Sequence, residues 1–360
     1  MRRIAIIGGG LAGLVVALRR KAAGDRVTLF EASPRFGGQL HTERRDGFTV
    51  ELGAEGFVAG SEAVRALASD LGIERDLVGQ LVTRSYGFDG RRLAPLEPGA
   101  AGMLLGFQVA RREFGKGIGA FRAGMGELSD ALAAALAGHV DLRPGSGIAR
   151  LAPAGDAWRL EDERDEAHEA DAVVVATNSR GASALLGETF GAPALGLARA
   201  ETLSSVTVSL AYARSAVEHP LDATGFVVAE SEQHEGFRAC TFVSSKLQER
   251  APEGSALLRA FFRPSTSDWE LSDEAWAERA ERAIRRAVPL RSAFDAAWVS
   301  RWRDALPVFD DAHRERVRAL EAALAGRSVF LAGSAFHGSG IDAAVRSGDA
   351  ASHALAAAER

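Results

Sequence analysis

The chain opens MRRIAIIGGGLAGLVVALRR (residues 1–20). Two arginines before an apolar run is the pattern of a secretory leader. The same residues also suit a strand, a glycine turn and a helix, and the details favour that reading. Gly8, Gly9 and Gly10 interrupt the apolar run, and Gly13 interrupts it again. RIAII (3–7) is continuous and β-branched, as a buried parallel strand should be. Leu11 to Ala23 is rich in alanine, leucine and arginine and reads as a helix. RVTLF (26–30) reads as a second strand that ends on Glu31.

The spacing Gly8-x-Gly10-x-x-Gly13 in this context fits a dinucleotide fingerprint. Gly8 allows the tight turn, Gly10 lets the backbone approach a pyrophosphate, and Gly13 lets helix and strand pack closely. Free N–H groups and the dipole at the helix N-terminus favour an anion there. Glu31 lies 18 residues beyond Gly13, placed to accept hydrogen bonds from ribose hydroxyls.

At 360 residues the chain is long enough for one large core or two domains. It is 47% hydrophobic and 25% charged, with a net charge of −5. Mixed charges of this kind give no footprint for nucleic acid or an anionic membrane surface. The densest charge run, EDERDEAHEAD (161–171), reads as a solvated hairpin tip. Cys240 is the only cysteine, so no internal disulfide forms and the common zinc clusters are excluded. The expectation is a cytoplasmic protein without a metal. No stretch reaches the roughly 18 apolar residues of a membrane span. GAAGMLLGFQVA (99–110) is too short to cross but leaves room for weak peripheral association.

Two further motifs choose the cofactor. After Glu31 comes ASPRFGGQLHT (32–42), with Arg35 before Gly37-Gly38. Near the C-terminus, SVFLAGSAFHGSGIDAAVRSGDAASHAL (328–355) reads as strand, glycine loop and a helix from about Ile341. A helix N-terminus there suits the negative charge of a reduced flavin. Together these motifs resemble the extended FAD fingerprint of the amine oxidase, phytoene desaturase and protoporphyrinogen oxidase superfamily.

That resemblance implies an α/β fold: a doubly wound, Rossmann-like FAD domain of the p-hydroxybenzoate-hydroxylase type with an inserted α+β substrate domain. The expected division is 1–82, 121–200 and 310–360 for the FAD domain, with 83–120 and 201–309 for substrate. The resemblance assigns to the cofactor Gly8, Gly10, Leu11, Ala12 and Gly13 of the first turn, then Glu31, Ala32, Arg35, Gly37, Gly38 and Gln39. It adds Gly53, Ala54, Ile148, Ala176, Thr177 and Trp302, and finally Gly333, Ser334, Gly340 and Ile341. Ser334 stands where asparagine is more usual. No cysteine lies in the C-terminal motif, so FAD is expected to be non-covalent.

The middle of the chain resembles the protoporphyrinogen oxidase family in particular. TRSYGFDGRRLAPL (83–96), GMGELSDALAAAL (124–136), SSVTVSLAYAR (204–214), ERAPEGSALLRAFF (249–262) and RWRDALPVFD (301–310) follow in family order. In SSVTVSLAYAR, Val206, Val208, Leu210 and Tyr212 alternate, as in a half-buried strand. The family implies oxidation of a porphyrinogen to a porphyrin, protoporphyrinogen IX to protoporphyrin IX in haem biosynthesis, with dioxygen as acceptor. Few acid–base residues are expected, and no catalytic residue is singled out. Arg84 matches by position an arginine that pairs with a substrate propionate, and Gly124 and Met125 are expected at the pocket.

Two departures stand out. Family members carry a long helical lid insertion where this chain has only EPGAAGMLLGFQVARREFGKGIGA (97–120), and Asn178 stands where proline is usual. Three alternatives stay open. One is an FAD oxidase or desaturase for an amine or polyene. Another is a scaffold that has lost flavin. The third is a chain completed by a homodimer mate or a lid-supplying partner.

Overall fold

Arg3–Ile7 forms the middle strand of a five-stranded sheet in the computed structural model, which describes residues 1–105 and 115–358. The order across the sheet is Asp141–Pro144, Arg26–Glu31, Arg3–Ile7, Ala172–Val175, Val329–Leu331, and every neighbouring pair is parallel. The uninterrupted apolar strands are explained by this position. Ile4, Ile6 and Leu29 pack on one side with helices Leu11–Ala22, Gly126–Leu136 and Ile341–Ala357. Ile7, Phe30, Val173 and Val175 pack on the other with helices Ser179–Phe190 and Asp311–Leu324. Helices on both faces make the sheet doubly wound.

A three-stranded antiparallel meander, Ile148–Ala154, Ala157–Asp162 and Ala167–Ala170, joins two of the parallel strands. Its last turn carries the acidic run. Asp162 departs from the expected solvated tip because its side chain is buried. It accepts from the backbone N–H groups of Arg164 and Glu166, both at 2.9 Å, and from Ser146 Oγ at 3.0 Å.

The larger sheet has seven strands in the order Ala296–Pro307, Thr202–Ala213, Ser255–Phe262, Phe237–Phe242, Gly225–Val228, Tyr86–Phe88, Leu93–Pro95. Strand Thr202–Ala213 differs from its half-buried expectation. Val206, Val208, Leu210 and Tyr212 face helix Asp273–Arg285, and Thr207, Ser209 and Ala211 on the other side are buried as well. The second face is covered by the segment around Val50–Gly53, so alternation in sequence does not become alternation in exposure.

One expected boundary moves. Ile118–Phe121 pairs with Phe57–Val58 and Leu77–Gly79, and Ala120 and Phe121 are core residues of the body built on the five-stranded sheet. Residues 118–120 therefore belong with that body rather than with the seven-stranded sheet. Part of the shortened lid segment, residues 106–114, lies outside the described residues. What precedes it is a short helix, Ala100–Leu104, that exposes Met103 and Leu104. No helix among the described residues is long and apolar enough to cross a membrane.

Candidate active site

The three fingerprint glycines are glycine for different reasons. Gly8 has φ +111°, and a Cβ there would lie 2.5 Å from the Ala176 carbonyl oxygen. A Cβ on Gly13 would lie 2.0 Å from Gly8 O. Both are required by packing within the chain. Gly10 has ordinary extended dihedrals, φ −69° and ψ 178°, and a Cβ on it would meet nothing within 4 Å. The chain itself gives no reason for glycine at this position. A group that comes close to the backbone from outside does.

Gly10 is the N-cap of helix Leu11–Ala22 and offers no side chain. The first intrahelical bond runs from Leu14 N–H to Gly10 O at 3.0 Å, so Leu11, Ala12 and Gly13 have no acceptor for their N–H groups inside the helix. Gly340, at φ +93°, opens helix Ile341–Ala357 in the same way, with a first bond from Ala344 N–H. The other helices of nine residues or more among the described residues have their N-terminal ends closed by side chains. Ser61, Asn178, Ser272 and Asp310 cap theirs by side-chain acceptance, and at Gly126–Leu136 Thr42 Oγ1 accepts from Gly126 N–H. The cap also gives Asn178 a local role where proline is usual, since its side chain accepts from Gly181 N–H at 2.8 Å.

The two helices that carry these open ends pack on each other, with Gly348 of Ile341–Ala357 where a Cβ would lie 2.8 Å from Ala12 O. Ser347 Oγ accepts from the Gly333 N–H at 2.8 Å and fixes the preceding loop. On the other flank Gly37 N–H donates to Gly9 O at 2.8 Å, and Gly37 bridges Gly10. Next to it, Ala54 N–H donates to Gln39 O, and a Cβ on Gly53 would lie 1.9 Å from that oxygen. Trp302 donates from Nε1 to Leu52 O at 2.7 Å and closes on Gly53. Glycine-lined backbone and the open N-termini of these two long helices make a candidate trough for an elongated group with phosphates at one end and a polar ring at the other.

Individual expectations fare differently. Glu31 sits at the strand end, where it accepts from Gly9 N–H at 2.7 Å and from Ser33 N–H and Oγ at 2.8 Å. Arg35 braces the loop: its guanidinium donates to the carbonyls of Phe36, Gly38 and Leu40. Ala176 and Thr177 follow the strand that faces Gly8, and Ile148 opens the meander. Ala32 lies exposed just beyond Glu31, and Ser334 follows Gly333.

The structure corrects Gly124 and Met125. Met125 is 0% exposed in the core and its N–H donates to Glu51 at 2.8 Å, while a Cβ on Gly124 would collide with Thr42. They pack the turn before a helix. Arg84 is on the rim of the seven-stranded sheet, its side chain 57% exposed. It donates to Asp222 at 2.8 Å, and Tyr86 Oη donates to the same carboxylate at 2.9 Å.

A group of buried charges where the Glu51–Glu55 segment meets the larger sheet was not anticipated. Arg259 is 2% exposed and donates from Nη2 to Gly53 O at 2.7 Å and to Thr207 Oγ1 at 3.2 Å. Lys246 donates to Glu55 at 2.5 Å. Arg250 donates to the Phe121 and Arg122 carbonyls and lies 3.8 Å from Glu51. Burial pushes the Glu51 carboxyl up. Burial acts the same way on Glu55, but Lys246, Arg259 and Arg250 outweigh it and hold that carboxyl below its ordinary range. The signal in the sequence was a lone arginine in the apolar strand SALLRAFF (255–262).

Comparisons with known proteins fit this geometry. The coproporphyrinogen III oxidase of Bacillus subtilis (strain 168) is 24% identical over 459 aligned positions, covering 97% of each chain. Since this chain has 360 residues, the relative carries a substantial stretch that is absent here. Among solved structures, a protein of Exiguobacterium sp. 255-15 provisionally named protoporphyrinogen oxidase superposes with a TM-score of 0.81 at 20% identity over 98% of both chains. Reduced UDP-galactopyranose mutase superposes with a TM-score of 0.81 at 13% identity, covering 100% of this chain and 95% of that one. The family model described as flavin containing amine oxidoreductase matches residues 11–98 and 85–356, and the chain belongs to that family.

Proposed function

We propose that this protein is an FAD-dependent oxidase of porphyrinogens in haem biosynthesis, acting on coproporphyrinogen III or protoporphyrinogen IX. The observation that supports this reading most is the alignment with the Bacillus subtilis coproporphyrinogen III oxidase through 97% of both chains, which takes in both glycine motifs and the larger sheet. Bound FAD would supply a two-electron acceptor, which no side chain can. The chain's own residues bind and orient. The N–H groups of Leu11, Ala12 and Gly13 suit the pyrophosphate, and Glu31 the ribose. Those of Ile341, Asp342 and Ala343 suit a ring that becomes negative on reduction. Gly53, Ala54 and Trp302, which pack together, would hold the group from one side.

In this reading residues 1–82, 118–200 and 310–360 form the cofactor domain and 83–117 and 201–309 the substrate domain, in a cytoplasmic protein. The buried face of the larger sheet, with Thr207, Ser209 and Phe261, turns toward the cofactor. Arg84 at the rim is a candidate anchor for a substrate carboxylate, although Asp222 already neutralises much of its charge.

Anaerobic mixing with each porphyrinogen tests the proposal. The yellow protein should bleach as each flavin takes two electrons, and the porphyrin Soret band should develop fully only when dioxygen is admitted, since a porphyrinogen must lose electrons to the flavin in three such rounds. A flavin that stays oxidised with both porphyrinogens but is reduced by a primary amine or a polyene would move the protein to that substrate class.

A further inference from the structure

The buried charges beside Gly53 do not balance. Glu51 and Glu55 bring two negative charges, and Lys246, Arg250 and Arg259 bring three positive ones. The side chains are 12% exposed at Lys246 and Glu55, 2% at Glu51 and 0% at Arg250. The groups that face this cluster from outside, Arg44 and Glu127, cancel each other. Cys240 and Thr42 add no charge at neutral pH. Among the described residues an excess of one positive charge therefore sits in the interior.

The hydrogen bonding is also unfinished. A guanidinium has five N–H groups. On Arg259 two of them reach Gly53 O and Thr207 Oγ1, while Nε and Nη1 have no partner among the described residues. Arg250 Nε and Glu55 Oε1 are unpartnered too. The Arg259 guanidinium lies over the Phe261 ring, with 5.0 Å from its central carbon to the ring centroid, which satisfies none of the N–H groups in their own plane. A buried, uncompensated guanidinium is destabilising by itself. It persists in a fold where something else makes use of the charge.

We propose that the Arg259–Lys246–Glu55 cluster is an electrostatic positioning device that uses its excess positive charge to stabilise the negative charge a flavin gains on two-electron reduction. This rests on the reading of the trough as the flavin seat. The coupling runs through Gly53, whose carbonyl is held by Arg259 and whose Cα packs on Gln39 and Trp302 at the ring end of the trough. Interior charges act over such distances because protein screens them less than water does. No direct contact between Arg259 and the cofactor is needed. The effect is on the equilibrium between oxidised and reduced cofactor, and it is present without substrate.

The test is the flavin midpoint potential of the holoprotein, measured with a dye-coupled reduction system and no substrate. Arg259→Met should disfavour reduction at least tenfold, a drop of about 30 mV or more for a two-electron couple. Lys246→Met removes a positive charge from the same cluster by another route, so it should lower the potential too and serves if Arg259→Met does not fold. Arg259→Lys, which keeps a positive charge at the position, should keep most of the wild-type potential. A wild-type protein that binds no flavin would overturn the reading of the trough. Flavin bound normally, with Arg259→Met or Lys246→Met within about 10 mV of wild type, would overturn the role of the cluster and leave that reading standing.

Discussion

Gly10 and Gly13 lie three residues apart and respond to different demands. Gly10 has open space where a side chain would go, and dihedrals any residue adopts. Gly13 has the Gly8 carbonyl there instead. Gly10→Val should therefore fold with a loss of no more than about 1 kcal/mol, the usual scale for a poorer N-cap, and yet purify without flavin. Gly13→Val should be destabilised by about 1–3 kcal/mol or more by overpacking, whether or not flavin is added. Urea unfolding of the two apoproteins, set beside flavin absorbance after reconstitution, checks both. Full flavin content in Gly10→Val would remove the phosphate site from this turn. The motif spacing was legible in the sequence, and so was the glycine requirement. Which glycine serves the fold and which serves a ligand was not, because that depends on what lies opposite each Cα.

At the scale of elements, the short turn Thr266–Glu270 and the helix Asp273–Arg285 are tied by one carboxylate. Asp268 accepts from Ser265 N–H and Oγ in a capping box and from Arg279 at 2.8 Å. Burial raises the pKa of this group, but Arg279 and Ser265 outweigh it and leave the carboxyl below its ordinary range. A carboxyl lowered in the folded state contributes stability above its ordinary pKa, and that contribution fades as pH falls through the lowered value. The gap in stability between wild type and Asp268→Asn should thus be widest near neutral pH and close in acid. Denaturant midpoints of both proteins at a series of pH values below 5 give the answer. A gap that stays constant would mean that the carboxylate charge contributes nothing.

Across the whole molecule, the expected substrate anchor and the observed cationic groups occupy different places. Arg84 is on the exposed rim, held by Asp222, whereas Arg259 is in the interior beside the trough. Arg84→Ala should weaken binding of a free-acid porphyrin about fivefold or less, since exposed ion pairs are screened and Asp222 competes. Titration of coproporphyrin III and its methyl ester into wild type and variant, followed by fluorescence, tests this. A loss far above that for the acid, with none for the ester, would restore Arg84 as a principal anchor. Leu81, Met103 and Leu104 are exposed as well.

The sequence by itself determined the opening strand, turn, helix and second strand, the acid at its end and the helix that begins at Ile341. Each of these is a local pattern, in which the period, the glycines and the caps lie within a few residues of one another. Tertiary structure decided the rest. It buried both faces of Thr202–Ala213 by laying the Val50–Gly53 segment over one of them. It paired residues 118–120, as well as Phe121, with strands of the body built on the five-stranded sheet, since strand partners are chosen across long stretches of chain. It sent Met125 to the core, and it brought Glu51 and Glu55 together with Lys246, Arg250 and Arg259 from about two hundred residues away in the chain. Burial and electrostatics are sums over neighbours in space, and those neighbours come from opposite parts of the chain.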